Sequence, residues 1–274
     1  MKHQVQDGLV DLCMASGDPG QQLYIFSNDD VKRISSEVGF RNPFDATHID
    51  CSRNRSMRMK EEDLFVVHLG TRVSGESAEH AFVRGSHLGY HSFEHISDDQ
   101  YQDIQYSPGP LDEKDTSEAN ILSLVYNHGI LQRVLYPYDL RAQPHIYMSH
   151  RSKMNPQHRV GDIQLPTGIT QFEVDMTFEY DGKVTVFEGK NWSTNRDDFA
   201  VYQLYMPFRY FDKMRRERAG GSKILDINCC YVLRRKHSWG SEITAHVYTF
   251  TDPDDMASIE LVEAKGFRLR RIDA

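Results

Sequence analysis

Phe172-Glu-Val-Asp-Met-Thr-Phe-Glu-Tyr-Asp-Gly-Lys-Val-Thr-Val-Phe-Glu-Gly-Lys190 is the stretch on which the reading of this chain turns. Two runs of alternating apolar and polar residues flank Asp181-Gly182, a pair favoured in two-residue hairpin turns because both positions need φ above zero. With that turn, Tyr180 faces Lys183 and every opposed pair has residue numbers summing to 363. The register predicts Asp175 directly across from Glu188, and Glu173 across from Lys190. Strand side chains alternate, so all four project from one face. Opposed Cβ atoms lie roughly 5 Å apart, which lets two carboxylates reach one cation. Two unneutralised acids at that spacing repel, and a divalent ion relieves the repulsion. The plainer alternative is a solvated hairpin face carrying Glu–Lys cross-strand pairs. Against it, Glu188 and Lys190 end a run, Val184-Thr-Val-Phe187, that reads as buried strand, and Asn191-Trp192 then leads into a helix.

Working outward, Thr116 or Ser117 can cap a helix running to about Leu135, with Ile121, Leu122, Val125, Ile130 and Val134 on one apolar stripe and Gly129 weakening it modestly. A second helix is expected from about Asn195 to Arg218, stopped by Gly220-Gly221. Ile224 to Arg235 and Glu242 to Thr251 read as strands. Helix, hairpin, helix, strand, strand predicts a mixed α/β core. Upstream, the Pro- and Gly-bearing run Tyr106 to Thr116 marks a domain boundary, giving residues 1–110 and 111–274. In the N-terminal segment, Ser27-Asn-Asp-Asp30 opens a helix through Val31, Ile34 and Val38 that Gly39 closes. Strands follow at Leu64 to Leu69, His80 to Arg84 and Tyr90 to Glu94, making a small α+β module.

The net charge of −8 argues against a general polyanion binder, yet the charge is uneven. Arg209 to Lys236 holds nine Lys or Arg against three acids, whereas Glu94 to Glu118 holds eight carboxylates against one lysine. An enzyme acting on nucleic acid needs a local basic groove and acids that hold a metal, not a basic average. Arg209, Lys213 and Arg216 share a helix face and form a candidate backbone-tracking stripe; Arg53, Arg55, Arg58 and Lys60 are either phosphate contacts or a solvated loop. His87, His91 and His95 have the spacing of a helical zinc ladder, but Gly85 and Gly89 argue for strand and for structural or DNA-contacting histidines. Cys13, Cys51, Cys229 and Cys230 lack CxxC spacing and are expected to be reduced. Neither a Gly-x4-Gly-Lys phosphate loop nor a Gly-x-Ser-x-Gly elbow occurs. Asn191-Trp-Ser193 matches a glycosylation acceptor. With no long apolar run and no signal-peptide core, a soluble cytoplasmic protein without membrane contact is expected.

Asp175, twelve intervening residues and then Glu188-Gly189-Lys190 resemble the catalytic signature of the PD-(D/E)XK nucleases, type II restriction endonucleases in particular. Val174 stands where the signature has proline. The resemblance runs from the helix at Ser117 to Leu122 through Tyr202 to Pro207, within roughly the last 160 residues. It implies a restriction-endonuclease-like core, with a mixed sheet flanked by helices, following an N-terminal DNA-recognition module. Asp175, Glu188 and the Gly189 carbonyl would hold Mg²⁺, for which Mn²⁺ can substitute, and Lys190 would assist the attacking water. Glu118 matches a helix glutamate near the metals, and it can equally serve the helix dipole. Gln203 would contact Lys190 or a DNA phosphate, or simply pack. The implied partners are double-stranded DNA, a second copy of the chain and a cognate DNA methyltransferase. A structure-specific repair or mobile-element nuclease and an inactive DNA-binding module remain alternatives.

Overall fold

The computed structural model describes residues 1–18, 20–72, 76–109, 118–139, 141–192, 197–217 and 223–272. Helix α1 (Lys2–Ser16), strand β1 (Leu23–Ser27), helix α2 (Asn28–Glu37) and the short helix α3 (Met57–Glu61) precede strands β2 (Leu64–Gly70) and β3 (Glu79–Arg84). Strands β1, β3 and β2 form an antiparallel sheet. Helix α2 starts as expected: the Ser27 side chain accepts from the Asp30 amide while the Asp30 carboxylate accepts from the Ser27 amide. Alternation sends the two faces of this sheet to different cores. Leu64 and Phe82 bury Val5, Leu9, Val31 and Ile34 of the helices. Phe65, Val67, Ala81 and Val83 instead join the core of the larger sheet.

That larger sheet follows from β4 (Tyr90–Ser92), β5 (Tyr101–Tyr106), α4 (Glu118–Asn127), α5 (Ile130–Leu135), β6 (His145–Met154), β7 (Arg159–Val160), β8 (Ile163–Gln164), β9 (Thr170–Tyr180), β10 (Lys183–Asn191), β11 (Asp198–Ala200), α6 (Tyr202–Glu217), β12 (Asp226–His237), β13 (Gly240–Phe250) and β14 (Ile259–Arg271). Its order is β5-β14-β13-β12-β10-β9-β6, with β10 parallel to β12 and β14 parallel to β5 and the other neighbours antiparallel. Helices α4 and α5 cover one face, Ile121, Val125 and Ile130 clustering with Phe178, Phe187 and Val232. On the other face Leu204, Tyr205 and Phe208 of α6 pack with Val184, Val186 and Tyr231. Each such fully buried side chain contributes roughly 1.5–3 kcal/mol of transfer free energy. The result is a mixed α/β fold with a large mixed sheet flanked by helices.

Three details depart from the sequence reading. Gly129 sits at φ 67°, so the expected helix to Leu135 is two helices joined at a left-handed residue. Helix α6 begins at Tyr202 because Asp198–Ala200 is drawn into pairing with β4; the expected start at Asn195 lies outside the described residues. Strand β5, upstream of the expected boundary, is an edge strand of the large sheet, and β4 pairs with β11. The three-histidine ladder does not form on a helix: His87 lies in a single 3-10 turn and His91 in β4. All four cysteines are free and buried. No helix among the described residues is long and apolar enough to cross a membrane.

Backbone hydrogen bonds stitch the small sheet to the approach of β9. The Gly168 amide donates to the Leu69 carbonyl at 2.7 Å, and Thr71 and Ile169 exchange amide–carbonyl bonds of 3.0 and 2.9 Å. A side chain at Gly168 would lie 2.3 Å from the Thr71 carbonyl oxygen, and one at Gly70 2.4 Å from that of Ile169.

Candidate active site

The hairpin turn forms as read, Asp181 at φ 50° and Gly182 at φ 75°, and the ladder runs from Lys183 opposite Tyr180 to Phe187 opposite Met176. There it stops. Strand β10 continues along β12, setting Glu188 beside Tyr231 and Lys190 beside Leu233. Strand β9 continues along β6, setting Val174 beside His150 and Glu173 beside Arg151. The two strands diverge just short of the acids. Asp175 and Glu188 therefore lie on either side of an opening gap, which the Gly189 amide spans by donating to Asp175 Oδ2 at 3.2 Å. A strand residue sends its N–H and C=O to the same side, so the Gly189 carbonyl also turns toward this gap. Glu173 does not face Lys190 as expected: it follows β9 outward and pairs with Arg151 at 3.3 Å.

Lys190 Nζ lies 3.2 Å from Glu188 Oε1, both side chains being mostly buried. Partial withdrawal from water strengthens such a pair relative to a surface one. From the first turn of α6, Gln203 Nε2 donates to the same Glu188 oxygen at 3.3 Å, and its Oε1 accepts from the Tyr231 hydroxyl at 3.5 Å. Gln203 thus contacts Glu188 rather than Lys190. Pro207, inside α6, has no N–H to give the Gln203 carbonyl four residues back, so the helix is locally open beside the site.

These groups lie in a cleft of about 1230 Å³ lined by residues of both sheets, of α6 and of the segment between α2 and α3. One wall carries Asp175, Glu188, Lys190, Arg151, Lys153 and Gln203; the opposite wall carries His48, Asp50, His68 and His80. The sequence reading missed the second wall entirely. Its Asp50 accepts from the Gln203 amide at 3.5 Å, and its carbonyl accepts from the Ala200 amide at 2.8 Å. His68 and His80 are direct cross-strand partners on β2 and β3. Their Nδ1 atoms lie 2.8 Å apart, and His80 Nε2 is 2.7 Å from Asn28 Oδ1. Burial pushes His80 down to about 4 and His68 well below the ordinary imidazole value, so both are neutral at pH 7. Two polar residues on the face that Leu64, Val66 and Phe82 share were the available signal.

The expected DNA-contacting cations are placed elsewhere. Arg209 is buried, bound to Asp212 at 2.8 Å and Asp254 at 2.9 Å; Arg216 pairs with both of those acids, and Lys213 with Glu217. Two of the three stripe residues, Arg209 and Arg216, are thus tied into an ion network, because Asp254 arrives from the β13–β14 connection. Arg55 donates to the Ser52 and Leu64 carbonyls and stacks over Tyr90. Arg58 pairs with Asp11, Glu61 and Glu62, and Lys60 donates to the Arg53 carbonyl. Neither these residues nor Arg53 lines the cleft; the cations that do are Lys2, Arg72, Arg151, Lys153 and Lys190. The Glu118 side chain lies outside the described residues.

Among the described residues no three or more His, Cys, Asp or Glu converge to enclose an ion. The gap instead offers two carboxylates and a backbone carbonyl, a set of hard oxygens. That suits Mg²⁺, which is commonly bound through one or two carboxylates while keeping several waters.

The family described as a domain of unknown function, DUF6997, matches residues 85–268, more than half of the chain. No curated protein and no solved structure matches. The match takes in the carboxylate wall and leaves the histidine wall upstream of it.

Proposed function

From a chain that belongs to the DUF6997 family, we propose a Mg²⁺-dependent DNA endonuclease of the type II restriction class, with a restriction-endonuclease-like core and its reaction centre at Asp175, Glu188 and Lys190. One observation carries this reading. The β9–β10 ladder ends just before the two acids, and the strands open them into a cleft with a lysine on the same face. A merely solvated hairpin face would have kept its ladder and stood in water. The mixed sheet, covered by α4 and α5 on one face and α6 on the other, supports the same core.

Asp175, Glu188 and the Gly189 carbonyl would hold Mg²⁺ or Mn²⁺, which when bound polarises a phosphodiester and lowers the pKa of water. Gln203 fixes the Glu188 carboxylate, and Lys190 orients the attacking water and offsets charge that builds on the phosphoryl oxygens. Arg151 and Lys153 flank the acids as phosphate contacts. Water oxygen bonds to phosphorus as the bond to the 3′ oxygen breaks, the 3′ oxygen takes a proton, and the 5′ side keeps the phosphate. One such set cuts one strand, so a two-fold homodimer acts on double-stranded DNA, in a cytoplasm where a cognate methyltransferase shields the host sequence. The test is incubation of the pure protein with supercoiled plasmid and Mg²⁺. Discrete bands support the reading, a structure-dependent smear favours a repair nuclease of the same fold, and unchanged plasmid overturns it.

A further inference from the structure

We propose that His68 is a base-reading residue, its Nε2 offering a lone pair into the cleft as acceptor for an exocyclic amino group of a nucleobase. The proposal rests on the nucleic-acid reading of the cleft and adds to it a group for direct readout. The argument begins at Asn28. Its Oδ1 can only accept, so His80 Nε2, 2.7 Å away, carries the proton. A neutral His80 then has a bare Nδ1, and the short contact to His68 Nδ1 at 2.8 Å requires the proton there on His68. That leaves His68 Nε2 as a lone-pair acceptor. Both rings are kept neutral by burial and by the neighbouring His48, His80 adding to the effect on His68, so the tautomer chain is not overridden by a second proton.

His68 Nε2 makes no hydrogen bond to the described residues, nor is it among the polar atoms sealed away from solvent without a partner; it opens on the cleft that His68 lines. The ring is held in place. His48 packs 5.4 Å away, Tyr202 meets it edge-on at 5.4 Å, and the Tyr202 hydroxyl donates to the His68 carbonyl at 3.2 Å. A neutral acceptor is a poor phosphate ligand. Of the cations lining the cleft, Arg151, Lys153 and Lys190 belong to the facing wall, whereas Lys2 and Arg72 on the histidine side are paired with Asp45 and Glu79. A ligand with an anionic backbone on one side and neutral donors on the other fits this division, and the major-groove donors of DNA are the amino groups of adenine and cytosine.

The test uses the full-length protein in Ca²⁺, which accepts looser coordination and holds a complex without turnover. Bound duplexes are selected from a randomised pool and sequenced. Wild type should enrich A or C at one position by roughly 2- to 10-fold, the worth of a single hydrogen bond. His68→Phe should lose that enrichment alone. Replacing the selected base with an analogue lacking the amino group should weaken wild type by the same factor and leave His68→Phe unchanged. Should the variant fail to fold, ¹⁵N NMR of wild type still decides: a proton on His68 Nε2 instead of Nδ1 overturns the proposal. So does an undiminished preference in His68→Phe, an absence of any A or C enrichment, or a protein that binds no duplex. Plasmid cleavage is scored separately, so a protein that selects a base yet never cuts overturns the nuclease reading and leaves His68 as a reader.

Discussion

Two clusters of charge lie within a few turns of chain from each other, and they are built in opposite ways. At the far end of α6, fully buried Asp212 receives Arg209, Arg215 and Arg216 at 2.8, 2.6 and 2.8 Å, while Asp254 takes a second contact from Arg209. The two acids there are held by the arginines, and the cluster lines none of the cleft. In the cleft, Asp175, Glu188 and Asp50 stand with Lys190, Arg151 and Lys153 along the walls of an open space. That arrangement leaves charged groups of both signs facing a cavity. A run of arginines on a helix announces a surface only if no acid arrives from elsewhere in the fold to meet it, and charge that lines an open cavity is the better mark of chemistry.

The contrast can be broken most severely at the cleft. Glu188→Gln or Asp175→Asn should lower the plasmid cleavage rate by roughly 10²–10³-fold, the size expected for one preorganised charge-stabilising group. The melting temperature, measured alongside, separates lost chemistry from lost folding; cutting within tenfold of wild type would count against the site. The opposite pattern is expected at Asp212→Asn. Losing one side of a buried ion network costs about 3–5 kcal/mol, read as a lowered denaturation midpoint, while cleavage per folded molecule stays the same. If that variant folds normally and loses cleavage, the two clusters have been assigned the wrong way round.

Protons probe both places together. His158, beside the α6 network, and His80, in the cleft wall, are each pushed down to about 4 by burial, and so is His246 in the core. Unfolded, they take up protons near pH 6.5, so between about 6.5 and 4 the unfolded state binds more protons and stability falls with falling pH. It is complete above 6.5. Calorimetric melts at pH 7.5 and 5 should show the drop, and His246→Gln should flatten it; a midpoint that does not move across that window would refute the buried neutral state. The smallest effect belongs to Lys213→Ala, whose exposed pair with Glu217 at 3.7 Å is worth less than about 1 kcal/mol. Neither midpoint nor cleavage should change measurably, and a clear loss of DNA affinity would restore the basic stripe.

Local pattern carried the hairpin, because a two-residue turn fixes the register of everything near it. The last pairs escaped it because the neighbours that pull β9 and β10 apart, β6 and β12, are chosen by packing and not by the hairpin. Asp254 and Asp252 reach the arginines of α6 and Arg159 across dozens of residues, a proximity that no helical spacing reports. The helix break at Gly129 was a misjudged local signal, since glycine is tolerated inside helices as well as at their ends. Histidines 48, 68 and 80 carry no motif, and only the packing of the segment between α2 and α3 beside the small sheet makes them a wall.

The backbone stitch at Leu69, Thr71, Gly168 and Ile169 gives the meeting of the small sheet with the approach of β9 a mechanical meaning. Gly70, Thr71, Ile169 and Thr170 all border the cleft, so its spacing is set by main chain against main chain, at a separation no side chain could enter at either glycine. The two walls behave as a fixed-gauge fixture and not as jaws. Whatever reaches the carboxylates is measured against a slot whose width was decided when the chain folded, and distortion needed for the fit has to come from what enters.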